Sequence, residues 1–313
     1  MFDIMTMGEL LVDLTQTGVQ NGIAQYAANP GGAPANVAVA AQRLGASTAF
    51  VGKVGQDAFG LGLKKTLEDN GVGCGGLYVT GEAPTTLAVV SVAADGDRSF
   101  TFDRDGSADT LLTSEETVAA MEAGMRIFHL GSLSLTAEPA RSATFAAIQK
   151  ARDLGALVSY DPNYRASLWA DEETAVHWMK QPLPLADVVK LSEEELPLLT
   201  GLEDLAAGSQ ALTDGGAKLV LVTLGSDGVF YRMGEATGHI PAVKVQVADT
   251  NGAGDTFLGA VLSRLCKRPQ GLLAELTADE LEEILRFANR AAGKTCSRSG
   301  AIPAMPTLEE VEA

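Results

Sequence analysis

Positive charge, cysteine and histidine are all scarce in this 313-residue chain, and each scarcity bounds what the chain can be. Lys and Arg number 23 against 40 Asp and Glu, a net charge of -17. Nucleic acids and anionic membrane surfaces reward basic patches, so neither is an expected partner. A local positive site for a small anion stays open. Cys74, Cys266 and Cys296 are odd in number and far apart, so no disulfide framework is expected and a reducing compartment is. His129, His177 and His239 are scattered without metal-ligand spacing and read as structural or surface residues. No apolar run is long enough to span a bilayer, and residues 1–13 lack the basic, apolar and cleavage regions of a signal peptide. The chain therefore reads as soluble and cytoplasmic. Also missing is a Gly-x-Gly-x-x-Gly after the first strand, which instead runs into Gly8-Glu9-Leu10, so a dinucleotide-dependent dehydrogenase is disfavoured.

What is abundant is apolar sequence, 46% of the chain, in a repeating order. Apolar runs at 49–54, 127–130, 156–160, 188–191 and 219–223 are interleaved with helical patterns at 34–44, 137–154 and 256–265. Continuous apolar strands alternating with helices predict a mostly parallel sheet covered on both faces. In such sheets ligands collect beyond the carboxyl ends of the strands, where the glycine motifs of this chain fall. One region breaks the rhythm. Residues 85–93, a turn at Asp95-Gly96 and residues 98–104 predict an antiparallel hairpin. Strand periodicity puts Phe100, Phe102 and Arg104 on one of its faces and Thr101 and Asp103 on the other. That face suits either a lid over a sugar or an edge hairpin packed on the core.

Two glycine motifs carry chemistry. In Asp249-Thr250-Asn251-Gly252-Ala253-Gly254-Asp255-Thr256-Phe257, small residues precede a helix and a carboxylate occupies its first turn. Bare backbone amides at a helix N-terminus attract anions. An aspartate beside them can take a proton from an attacking hydroxyl while the amides hold a transferring phosphoryl group. This is equipment for phosphorylating a small alcohol without a P-loop lysine; a glycine turn before an ordinary helix is the structural alternative. The second motif, Gly31-Gly32-Ala33-Pro34-Ala35-Asn36, opens a helix that ends at Leu44 with Gly45 beyond it. Pro34 fits the first helical position, and Asn36 offers donors and acceptors to whatever approaches the glycines. Asp13, after the apolar run Leu10-Leu11-Val12, is a strand-end carboxylate suited to sugar hydroxyls, or simply a turn residue.

Together with Met7 to Asp13, Gly52-Lys53-Val54-Gly55, Asp161-Pro162-Asn163-Tyr164-Arg165, Lys190 to Glu195 and Thr223 to Gly228, these motifs resemble in order the PfkB (ribokinase-like) family of carbohydrate kinases, and within it most the fructokinases. The resemblance runs nearly end to end. It implies one domain over residues 1–313: a three-layer αβα ribokinase-like fold with a mostly parallel central sheet and a small β-sheet lid. The lid strands would come from about 10–30 and 85–105. It implies transfer of the γ-phosphate of Mg-ATP to the 6-hydroxyl of fructose, with 2-keto-3-deoxygluconate as the nearest alternative acceptor. A non-catalytic sugar sensor on the same scaffold is the alternative from another class.

The resemblance also distributes roles. Asp255 would be the base, and the amides of Gly252, Ala253 and Gly254 the anion hole. Asp13, Gly31, Gly32 and Asn36 would hold the sugar, with Phe102 and Arg104 reaching in from the lid and Asn163 and Arg165 nearby. Lys190, Ser192, Glu195, Thr223, Gly225 and Gly228 would serve the nucleotide, with Asn289 near the adenine and Glu195 acting on magnesium through water. Asp249, the backbone at Asn251, Ser297 and Gly300 would form a site for a monovalent cation, expected to be potassium. Three positions depart from the family pattern: Ser192 replaces an asparagine, Asn251 a threonine, and Asp103 an aromatic residue. Family members form dimers through the lid, so a homodimer is a further expectation.

Overall fold

The computed structural model describes residues 2–92, 98–121, 123–268 and 271–313, without the side chains of residues 90–92 and 98–100. The turn expected at Asp95-Gly96 and the side chain of Phe100 lie outside the described residues. In chain order the strands are β1 (Ile4–Met7), β2 (Leu11–Gln20), β3 (Ile23–Gly31), β4 (Thr48–Gly55), β5 (Gly73–Thr80), β6 (Leu87–Val92), β7 (Arg98–Asp103), β8 (Ile127–Leu130), β9 (Leu157–Tyr160), β10 (Val188–Ser192), β11 (Leu219–Thr223), β12 (Val229–Met233) and β13 (Ala236–Ile240).

Nine of these form one sheet in the order β13-β12-β11-β10-β9-β8-β1-β4-β5. Its pairings are parallel except for the antiparallel β11–β12 and β12–β13 at one edge. The central strands β1, β8 and β9 are buried at every position. This is why they read as unbroken apolar runs rather than alternating ones. Alternation survives in where the side chains go. Met5, Met7, Phe128, Leu130, Val158 and Tyr160 join one core; Ile4, Ile127 and Leu157 join the other.

Helices cover both faces, giving three layers. The first core receives Ala143, Ala147 and Ile148 of the Ala140–Asp153 helix. The second receives Val37 and Ala41 of the Ala33–Arg43 helix and Phe257, Leu258 and Val261 of the Ala253–Cys266 helix. These last two helices lie against each other on one face. Gly259 sets how closely they approach, since a Cβ there would meet Ala40 Cβ at 2.7 Å and the Val37 carbonyl oxygen at 3.0 Å. Their first turns, which carry Asn36 and Asp255, are thereby brought together. The first of them begins one residue earlier than its sequence pattern, at Ala33 with Gly32 as N-cap, so Pro34 is the second helical residue.

The remaining four strands form a separate sheet, β3-β2-β6-β7. Its two hairpins are antiparallel and joined by a parallel β2–β6 pairing, so the lid sheet is mixed. The base of β2 is buried and its outer half exposed. Asp103 is exposed while Phe102 is half-buried, as strand alternation requires. Among the described residues no helix is long and apolar enough to cross a membrane.

Candidate active site

The site is assembled at the carboxyl end of β1, which lies between β4 and β8. Strand order reverses at that point, and the crevice it leaves is where an open parallel sheet binds ligands. The cleft has a volume of about 460 Å³, open solvent at its mouth included, and is lined by Glu9, Asp13, Gly32, Asn36, Phe102, Asn163, Arg165, Asn251 and Asp255 among others. A larger cleft, about 1200 Å³ on the same measure, lies near Gly155 and Asp187 at the other ends of the strands. It is open, and only the smaller cleft gathers carboxylates at a helix N-terminus.

Gly252 caps the Ala253–Cys266 helix in the left-handed region, φ 74°, without any side-chain cap. A β-carbon at Gly252 would also lie 3.1 Å from Ala301 Cα, so both backbone angle and space favour glycine. Of the three expected anion-hole amides, that of Ala253 donates to the Thr250 carbonyl at 3.2 Å. Those of Gly252 and Gly254, and that of Asp255, donate to no carbonyl among the described residues. The open donors of the helix start are therefore Gly252, Gly254 and Asp255 itself. A Cβ on Gly254 would lie 3.1 Å from Lys190 Nζ, which puts a buried ammonium beneath the hole. Lys190 is held there by Asp161 at 2.7 Å.

Asp255 is 9% exposed and accepts a 2.8 Å hydrogen bond from the Asn36 side-chain amide. Burial pushes its carboxyl up to about 6, against the pull of that donor. It is thus ionised at neutral pH yet a better base than a free carboxylate. Asp13, across the cleft, is also pushed up to about 6 by burial, opposed by the nearby Asn251 side chain and the charge of Arg165. Gly31 leaves room for it, since a Cβ there would lie 2.5 Å from Asp13 Oδ2.

Glu9 belongs to this cleft although its motif position alone gave it no role. Its Oε1 accepts from the Ala33 amide at 2.8 Å, fixing the start of the Ala33–Arg43 helix. Its Oε2 is buried without a partner, and burial raises the carboxyl to about 7. The only signal in the sequence was a carboxylate directly after a buried strand.

Arg104 is placed differently from the expectation that it reaches the sugar. It does not line the cleft. Its guanidinium pairs with Asp109 at 2.7 Å and donates to Thr136 Oγ1 and the Leu133 carbonyl, turned under the hairpin because a buried carboxylate lies there. Phe102 does line the cleft. Glu195 also differs in detail, because both of its oxygens are engaged by backbone amides, of Tyr164 and Ser192, at 2.7 Å. Ser192 Oγ in turn accepts from the Glu195 amide at 3.2 Å, so serine supplies a side-chain acceptor in the asparagine position.

Further along the strand ends, Thr223 Oγ1 donates to the Leu191 carbonyl, and Gly225 and Gly228 take positive φ, 54° and 103°. Asn289 donates to the carbonyls of Ile240 and Pro241, so it secures the segment that follows β13. The Asp249 carboxylate accepts from the amides of Asn251 at 2.9 Å and Gly300 at 3.0 Å, which folds the 297–301 loop against the start of the Ala253–Cys266 helix. Ser297 Oγ is turned to the Lys294 carbonyl. Among the described residues there is no cluster of three or more His, Cys, Asp or Glu able to hold a metal ion.

The chain matches the model of the pfkB family carbohydrate kinases over residues 1–308. It is 44% identical to Fructokinase-1 of Zea mays over 312 residues, 98% of this chain and 96% of that protein. Its fold is similar to that of a fructokinase from Xylella fastidiosa with bound ATP, with TM-score 0.91, 36% identity and coverage of 100% of this chain and 98% of that one. It is likewise similar to a double-mutant fructokinase from Vibrio cholerae O395 in a fructose, ADP and potassium ion bound form, with TM-score 0.89, 33% identity and coverage of 99% and 97%.

Proposed function

The chain belongs to the pfkB family of carbohydrate kinases, and from that membership we propose that it is a fructokinase, transferring the γ-phosphate of ATP to the 6-hydroxyl of fructose. One observation carries the reading. A buried carboxylate, Asp255, stands in the same helical turn as open backbone amides, with a second carboxylate, Asp13, lining the same cleft. The relatives named above are fructokinases, which favours fructose over 2-keto-3-deoxygluconate. A sugar sensor would need neither a base nor an anion hole, and the buried Asp255 carboxylate beside open amides supports the kinase instead.

Phosphoryl transfer asks for alignment and charge stabilisation rather than covalent chemistry. Asp13 and Asn36 would accept from and donate to sugar hydroxyls, orienting the reacting one toward Asp255. Asp255 would take its proton late in the transfer, as charge moves to the leaving group. The amides of Gly252, Gly254 and Asp255 would face the transferring group, with the Lys190 ammonium below them adding positive charge where negative charge spreads. Phe102 and the lid sheet would close the cleft and exclude water, the competing acceptor.

The nucleotide would lie along Thr223, Gly225 and Gly228, with its base against the segment that Asn289 secures. A magnesium ion here would be held mainly by water and phosphate oxygens; among the described residues no carboxylate cage is formed. Bound magnesium would neutralise phosphate charge, and Glu195 would influence it by shaping the Tyr164 and Ser192 loops. Asp249, its two backbone contacts and the 297–301 loop fit a potassium site that steadies the anion hole. The exposed Val19, Ile23 and Tyr26 on the outer lid support association of two copies through it, and the free cysteines support a cytoplasmic location.

The test is an ADP-release assay with Mg-ATP on fructose, 2-keto-3-deoxygluconate, ribose and glucose, with and without potassium. A strong preference for fructose supports the reading. Preference for the keto acid would replace the substrate and keep the mechanism; sugar binding without turnover would favour the sensor.

A further inference from the structure

Arg104 and Asp109 form an ion pair at the foot of the lid, 2.7 Å apart and only 7% and 6% exposed. Arg104 directly follows β7. Asp109 Oδ1 accepts at 2.5 Å from the hydroxyl of Thr86, which directly precedes β6. One ion pair therefore holds both feet of the β6–β7 hairpin. The rest of the guanidinium reaches away from the hairpin. It donates to Thr136 Oγ1 at 2.5 Å and to the Leu133 carbonyl at 2.9 Å, in the short helical turn after β8. Leu133 lines the sugar cleft, and so does Phe102, two residues before Arg104.

We infer that Arg104 is a positioning residue: it ties the foot of the lid to the segment after β8, so that Phe102 and Leu133, two walls of the cleft, are held in fixed register around fructose. The inference rests on the cleft being the sugar site. Its physical basis is the planar guanidinium, which offers its donors in a rigid fork. Asp109 takes one edge of that fork, and Thr136 and Leu133 take the remainder. A hairpin anchored only to itself could pivot on its base. Anchored through the fork to the Leu133 turn, it moves only by breaking buried, charge-assisted bonds. Arg104 thus acts on the sugar through two apolar walls, without touching it.

The experiment compares wild type, Arg104→Lys and the double variant Arg104→Met with Asp109→Leu. Thermal unfolding, calorimetric fructose binding and steady-state turnover are measured, with ADP and fructose 6-phosphate counted separately. Arg104→Lys keeps a cation for Asp109 but has no fork to reach Leu133 and Thr136 as well. The double variant removes both charges, so no buried carboxylate is left unpaired and folding survives. In each, fructose affinity and fructose KM should weaken roughly tenfold, because sugar binding must now supply the order those bonds imposed. ADP should exceed fructose 6-phosphate, because a loosened wall admits water to the phosphate. The KM for ATP and kcat at saturating fructose should stay within about threefold, since the anion hole and the nucleotide side are untouched. An ion pair that only stabilised the fold would leave Arg104→Lys with wild-type fructose affinity and matched products, and that result overturns the inference. An equal rise in the KM for ATP overturns it too. Wild type that binds fructose without turning it over sinks the kinase reading instead, and the calorimetric comparison still decides the inference.

Discussion

The side-chain amide of Asn36 donates to Oδ2 of Asp255 at 2.8 Å, joining the first turns of two helices across 219 residues of sequence. Gly259 makes the bond possible by letting the two helices touch. The same bond opposes the rise in proton affinity that burial imposes on Asp255, because a donor to the carboxylate favours its ionised form.

A pH profile reads this directly. Burial holds Asp255 at about 6, and as the proposed base it must be deprotonated to act. Fructose kcat/KM should therefore be sustained above that value and fall as pH drops through about 6. In Asn36→Ala the lowering contribution is lost, so the acidic limb should move up by roughly one pH unit. A limb at the same pH in both proteins would show that the bond does not tune the base.

Glu9 offers a stability measurement. Its carboxyl is raised from 4.5 to about 7 by burial, so the folded state holds the proton more tightly than the unfolded chain. The stability this provides is fully present below about pH 4.5 and lost as pH rises through about 7. Glu9→Gln keeps an acceptor for the Ala33 amide and removes the titration. It should be the more stable protein at pH 8, by up to about 3 kcal/mol, and about equal to wild type near pH 4.5. Denaturant unfolding at the two pH values checks this, and an equal difference at both would exclude a titrating Glu9.

Lys190 and Asp161 form a buried pair beneath the anion hole. Lys190→Met should cost about 3–5 kcal/mol of stability, because it leaves Asp161 buried and uncompensated. Adding Asp161→Leu should restore much of that stability without restoring kcat, since the positive charge under Gly254 stays absent. Recovery of kcat in the double variant would show that Lys190 acts through packing alone.

Much of the fold was legible because buried parallel strands announce themselves as apolar runs: β8 and β11 begin and end where their sequences indicate. The Gly252 motif was legible because its backbone angle and its closeness to Ala301 both favour glycine. Side-chain partners were not. Arg104 turns inward because Asp109 is buried beside it, a pairing that strand alternation cannot see. Asn36 reaching Asp255 depends on the packing of two helices whose contacting residues lie 219 positions apart in sequence. Glu9 escaped notice because its backbone partner, Ala33, comes from the next structural unit.

The central claim is that Asp255 is the base for phosphoryl transfer to fructose. The most direct measurement is single-turnover phosphorylation by Asp255→Asn, alongside calorimetric titration with fructose. The account expects fructose binding to persist, because asparagine preserves the shape of the cleft, and the transfer rate to fall by roughly 10²–10⁴. Near-normal transfer by a folded Asp255→Asn would contradict it.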